Sequence, residues 1–136
     1  RRTNASYEAN LAWMFDGIED EVIGNFGFSG GGAAGYELDR VETRLGTSKD
    51  AIIVAVSENH PDHFVMPPEQ WLTHVKTWSG PPEKELIRAD MVYFKAPGGG
   101  QVFSTGSITF TGSLPWNHFE NNISRLLENV LQKFTA

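Results

Sequence analysis

Ala51-Ile52-Ile53-Val54-Ala55-Val56 is a continuous apolar run rich in β-branched residues. A run without alternation reads as a strand buried on both faces, the pattern of a parallel sheet. It ends in Ser57-Glu58-Asn59-His60-Pro61-Asp62-His63. Polar residues just past the carboxyl end of a buried parallel strand are favoured ligand positions. Asn59 and His60 are therefore candidates for substrate contacts. Glu58, His60 and His63 also invite a metal reading. Their spacing matches no helix pair, and Pro61 prevents a helix through them, so a polar loop is the safer account.

Upstream of that run lies Phe26-Gly-Phe-Ser-Gly-Gly-Gly-Ala-Ala-Gly-Tyr-Glu-Leu-Asp-Arg40, with five glycines and two alanines in fifteen residues. Each glycine costs about 0.5–1 kcal/mol in backbone entropy relative to alanine inside a helix or strand. Glycine is used where φ must be positive or where backbones must approach closely. Two carboxylates and an arginine, Glu37, Asp39 and Arg40, follow at once, so the stretch reads as a site wall. Its flanking Phe26, Phe28, Tyr36 and Leu38 argue against a flexible linker. A phosphate-binding glycine loop is disfavoured, because the Walker lysine is missing. Further upstream, Trp13-Met14-Phe15 reads as a short buried strand. Ile18 to Ile23 reads as a turn of helix or a loop, with Asp20 and Glu21 solvated.

Downstream, Trp71, Leu72, Val75 and Trp78 repeat at helical spacing, which predicts a short amphipathic helix over Glu69 to Trp78. His74 lies beside that stripe, and Ser79-Gly-Pro-Pro82 is a stop signal. Ala89 to Lys95 and Gln101 to Phe110 read as two strands joined by a hairpin-like turn at Pro97-Gly98-Gly99-Gly100. Close backbone approach or a bulge is expected at Gly106-Ser107. Ser104, Ser107 or Ser113 as a nucleophile would need a histidine base, and His118 carries no triad pattern. Ile123, Leu126, Leu127, Val130, Leu131 and Phe134 predict an amphipathic helix, capped by Asn121 or Asn122. Packed on the preceding strands, it makes the fold class α/β.

The bulk properties limit the function classes. The 136 residues fit one domain, and 40% hydrophobic with 21% charged residues suits a packed core. A net charge of −6 with no basic cluster argues against a nucleic-acid partner. With no cysteine, disulfides and thiolate metal sites are excluded. No apolar run approaches the ~18 residues of a membrane span, and no signal-peptide pattern is present. No membrane partner and a cytoplasmic location are the expectations. The chain opens on Arg1-Arg2-Thr3-Asn4. The expectation is that 1–136 form the C-terminal part of a single α/β domain, the tail of a much longer subunit.

Several motifs, in one order, carry a family resemblance. Gly31-Gly-Ala-Ala-Gly-Tyr-Glu-Leu-Asp-Arg40, Leu45-Gly-Thr, Arg88-Ala-Asp-Met-Val-Tyr-Phe94, Gly99-Gly-Gln-Val-Phe-Ser-Thr-Gly-Ser-Ile108, Gly112-Ser-Leu and Asn121-Asn-Ile-Ser-Arg-Leu-Leu-Glu-Asn-Val-Leu131 resemble the C-terminal region of the large (beta) subunit of N,N-dimethylformamidase. The match runs from about Phe15 to Phe134. It implies an open, mostly parallel sheet with flanking helices, as in class I glutamine amidotransferases. The nucleophile of those enzymes is a cysteine, so the shared fold does not carry glutaminase activity here.

The resemblance also implies hydrolysis of the amide bond of N,N-dimethylformamide to dimethylamine and formate. It implies partners in the rest of the large subunit and in a small subunit. It implies a mononuclear iron held by two tyrosines and a carboxylate. Those ligands fall on no motif of this chain and are expected upstream; Tyr7, Tyr36 and Tyr93 are its only tyrosines. Amide hydrolysis needs a proton taken from water and delivered to the amine, and a carboxylate can do both. The family pattern Gly-x-Glu-x-Asp-Arg makes Glu37 the candidate, with a buried ion-pair partner as the competing account of that residue. Asp39 and Arg40 would pair to hold the turn, or Arg40 would bind another acid. The substrate is small and weakly polar, so Phe26 and Phe28 are candidates to line its pocket. The competing function is a non-catalytic assembly module, with Trp71–Trp78 as its contact surface.

Overall fold

The computed structural model describes residues 1–70 and 83–136. Its sheet has three strands in the order β1-β2-β3: β1 is Ile52–Ser57, β2 is Ala89–Lys95 and β3 is Gln101–Ser104. Both pairings are antiparallel, with Ile52 opposite Tyr93 and Tyr93 opposite Phe103. The expected open, mostly parallel, glutamine-amidotransferase-like sheet with flanking helices is therefore overturned. The expected hairpin at Pro97–Gly100 is present, closed by Ala96 N–H to Gly100 O at 2.7 Å and Gly99 N–H to Ala96 O at 3.1 Å.

Two-sided burial is found on β2 rather than on β1, where only Val54 and Ala55 are buried, and it arises without parallel strands. On β2, five consecutive residues from Ala89 to Tyr93 are buried. Met91 and Tyr93 join the main core, while Asp90, on the alternate face, accepts a hydrogen bond from Val41 N–H. On β1 the register shifts between Ile53 and Ala55, so Val54 is the extra residue of a bulge. Val54 and Ala55 are both buried in the same core. A bulge suspends alternation, and an apolar run then no longer distinguishes the two sheet types. The outer edge of β1 is covered by the N-terminal segment: Arg2 bridges Ala55, and Thr3 N–H donates to Val54 O at 3.0 Å.

The predicted strand at Trp13-Met14-Phe15 is instead a 3₁₀ helix, Ala12–Phe15. Met14 and Phe15 are both buried on one core, whereas a strand would send neighbours to opposite faces. Gly17, at φ +75°, ends the turn. The second hairpin strand stops at Ser104 rather than Phe110, and Phe110–Ser113 forms a helical turn. Gly106 causes the stop. It sits at φ +75°, and a Cβ there would lie 2.6 Å from the Asp90 carbonyl oxygen. That is the close approach expected at this position.

The C-terminal helix, Asn122–Thr135, forms as its periodicity predicts. A 14-residue helix is marginal alone. Ile123, Leu126 and Val130 anchor it in the core beside Leu11, Met14 and Phe15. Full burial of such side chains contributes about 1.5–3 kcal/mol each. Asn129 fixes the helix to the 3₁₀ segment by donating to Met14 O and Asp16 O at 3.0 and 2.9 Å. Leu131 and Phe134, at the end of the apolar stripe, are exposed. Residues 68–70 are helical. The rest of the helix expected through Trp78, with His74 and the proposed contact surface Trp71–Trp78, falls outside the described residues.

Candidate functional site

The glycine stretch folds back on itself before it delivers Glu37. A Cβ on Gly35 would stand 2.3 Å from Gly30 O, so only glycine permits the crossing. Gly35 N–H donates to Thr109 Oγ1 at 2.7 Å, and the Ser107 hydroxyl donates to Tyr36 O. Beyond Glu37, Asp39 N–H donates to Gly106 O and Asp90 N–H donates to Asp39 O, both at 2.8 Å. Val41 N–H donates to Asp90 Oδ2 at 2.7 Å. Ser107, Thr109 and Asp90 are all buried.

Glu37 itself is exposed, with φ +47°. Non-glycine residues enter the left-handed region at a cost of about 1–2 kcal/mol. Its carboxylate makes no hydrogen bond or ion pair among the described residues. The competing account of Glu37 as a buried ion-pair partner is therefore not met. The side chain borders a groove of about 690 Å³ whose lining includes Arg40, Phe64, Met66, Gln70 and Leu86. That groove offers apolar wall and opposite charges within one cleft.

Arg40 does not pair with Asp39 or with any other acid among the described residues. Its Nη1 donates to Gln70 Oε1 at 3.2 Å and to Leu86 O at 3.4 Å. Its Nε is buried without a hydrogen-bond partner among the described residues. Burial pushes the guanidinium pKa below its ordinary value, and neighbouring Glu42 partly offsets this. Asp90 pairs instead with Arg88, at 3.0 Å, and Glu42, which lines the groove, pairs with Arg44, at 3.2 Å.

The other expected site residues do not converge on the groove. Asn59 is exposed at φ +57°. The His60 ring packs on Phe64, at 4.8 Å between centroids, but His60 does not itself line the groove. Phe26 and Phe28 pack on Trp116 instead, at 5.9 and 5.3 Å. Neither lines the groove. The hydroxyls of Ser107 and Ser113 donate to the carbonyls of Tyr36 and Phe26, so both serve the backbone rather than a nucleophilic role. A broader groove of about 1120 Å³ along Trp13, Tyr93 and Gln101 holds none of the expected site residues.

For iron, the described residues do not form a site. No group of three or more His, Cys, Asp or Glu converges among the described residues. Tyr7 and Tyr36 are exposed, and Tyr93 is buried with its hydroxyl donating to Gln101 Oε1 at 2.6 Å. No helix among the described residues is long and apolar enough to cross a membrane.

Sequence reasoning gave no role to Asp90 or Thr109, and it weighed Ser107 only as a nucleophile. A signal existed for the first. Arg88 and Asp90 are two apart at the start of a strand, which places them on one face as an ion pair.

Comparison with known proteins follows the same residues. The family model described as N,N-dimethylformamidase beta subunit-like, C-terminal, matches residues 1–122. The chain is similar to the N,N-dimethylformamidase beta subunit of Paracoccus aminophilus, with 44% identity over 131 residues, 95% of this chain and 17% of that protein. It is similar also to the N,N-dimethylformamidase beta subunit of Alcaligenes sp, with 40% identity over 131 residues, again 95% and 17%. The chain thus spans 17% of the length of the curated relatives it matches.

Proposed function

Since this chain belongs to the N,N-dimethylformamidase beta subunit-like C-terminal family, we propose that it supplies part of the active-site wall of an amidohydrolase. The reaction is the hydrolysis of N,N-dimethylformamide to dimethylamine and formate. The observation that carries this reading is a carboxylate, Glu37, without a hydrogen bond or ion pair among the described residues, presented by a fixed backbone at the edge of a groove.

In this role Glu37 accepts a proton from the attacking water and passes it to the departing amine. Dimethylamine is a poor leaving group unless protonated, so both transfers lower the barrier. The apolar wall from Phe64, Met66 and Leu86 suits the substrate methyl groups. The described residues do not form an iron site, and in this reading the ligands of an iron lie upstream, in the rest of the large subunit. The remainder of a large subunit and a small subunit are the partners.

The test is Glu37→Gln in the full-length large subunit assembled with its small subunit. Turnover of N,N-dimethylformamide is lost, while iron content and assembly stay at wild-type levels. Near-normal kcat/KM in that variant would remove Glu37 from the mechanism and leave the assembly-module account.

A further inference from the structure

We propose that Ser107 is a positioning residue that aims the Glu37 carboxylate into the groove; this rests on the reading of Glu37 given above. Ser107 is 4% exposed, and its hydroxyl proton is spent on Tyr36 O, the carbonyl of the peptide that leads into Glu37. Its oxygen also lies 3.2 Å from Thr109 Oγ1, which accepts from Gly35 N–H. The two hydroxyls therefore hold two consecutive residues before Glu37.

The far side of Glu37 is held from the same place. Asp39 N–H reaches Gly106 O, next to Ser107 in sequence, and Asp39 O accepts from Asp90 N–H, each at 2.8 Å. Gly106 presses on the Asp90 carbonyl so closely that a Cβ would sit 2.6 Å from it. The backbone is thus fixed at Gly35, Tyr36, Asp39 and Val41, and Glu37 and Leu38 span the gap. A left-handed residue in such a span has its side-chain direction set by the anchors on each side.

A chain held only for stability gains nothing by keeping an unfavourable φ at an exposed acid. Strain of this kind collects where a side chain must point one way for function. Loosening one anchor would leave the fold in place and let the carboxylate wander. Misplacement by about 1 Å costs on the order of 100-fold in rate.

The experiment is a double-mutant cycle in the full-length assembled enzyme, with N,N-dimethylformamide as substrate. Ser107→Ala lowers kcat by about 10–100-fold with KM held within about twofold. Ser107→Thr, which keeps the hydroxyl, restores most of kcat. In a Glu37→Asp background the Ser107→Ala loss shrinks to under about threefold, because the carboxylate is already displaced. Ser107→Cys, with a weak S–H donor, carries the same cycle where Ser107→Ala does not assemble. Equal losses in the two backgrounds, or a Ser107→Ala enzyme with wild-type kcat beside an inactive Glu37→Gln, would overturn the positioning role alone. An active Glu37→Gln would overturn it together with the role of Glu37.

Discussion

Arg88 Nε lies 3.0 and 3.1 Å from the two carboxylate oxygens of Asp90, whose side chain is 1% exposed. The second oxygen also accepts from Val41 N–H. One buried carboxylate thus ties β2 to the segment that carries Glu37. Breaking a buried pair is costly because it strands the remaining charge. Arg88→Met is expected to destabilise the protein by roughly 3 kcal/mol, the low end for such pairs, since Arg88 is 27% exposed. Chemical denaturation measures it. A change below about 0.5 kcal/mol would mean that water already compensates Asp90.

Gly35 and Gly31 provide a paired comparison. Alanine at Gly35 would force its Cβ to 2.3 Å from Gly30 O and 2.6 Å from Gly30 Cα, and backbone cannot yield as a side chain can. The expected loss is about 3 kcal/mol or more, at the upper end for overpacking. At Gly31 nothing lies within 4 Å of the added Cβ, and only φ +78° is unfavourable. Gly31→Ala should therefore cost only about 1 kcal/mol. Denaturation midpoints of the two variants decide the matter, and equal losses would refute the steric account.

Asn121 does two jobs at the start of the C-terminal helix. Its Oδ1 accepts from Ile123 N–H and Ser124 N–H at 3.0 and 2.9 Å. Its Nδ2 donates to Leu114 O and Trp116 O at 3.0 and 2.7 Å. Those donors close the turn through Asn117, His118 and Phe119, all at positive φ. Asn121→Ala is expected to cost about 2 kcal/mol, the upper end for a lost cap. Asn121→Asp keeps the cap, loses the donors, and should fall between the variant and wild type. Thermal denaturation of the three proteins orders them.

The sequence exposed those parts of the fold that depend on local pattern. The C-terminal helix follows from the spacing of Ile123, Leu126 and Val130, and the hairpin from three glycines between two β-rich segments. Sheet direction was not legible, because the bulge at Val54 mimics the unbroken apolar run of a parallel strand. Likewise, Met14 and Phe15 carry no period that separates a 3₁₀ turn from a short strand. At the site, the glycines pointed to close backbone approach, which Gly35 makes against Gly30. The pairing of Asp39 with Arg40 could not be settled from adjacency. It depends on where Asp90 and Gln70 lie in space. Phe26 and Phe28 were apolar residues near the right segment, but Trp116 takes both rings elsewhere.

Glu37 offers the sharpest separation of stability from activity. Its φ of +47° suits asparagine better than glutamate. Its side chain makes no hydrogen bond or ion pair among the described residues that the fold would lose. Glu37→Asn should therefore raise stability by up to about 1 kcal/mol, the part of the left-handed penalty that asparagine relieves. The same change removes the carboxylate, so N,N-dimethylformamide turnover should be lost. A strained residue whose replacement stabilises the protein and stops the reaction is held there for chemistry. Denaturation and turnover on one preparation of the assembled enzyme measure both. If Glu37→Asn lost stability with activity, the carboxylate would have a structural partner. If it kept activity, the groove edge would need no acid.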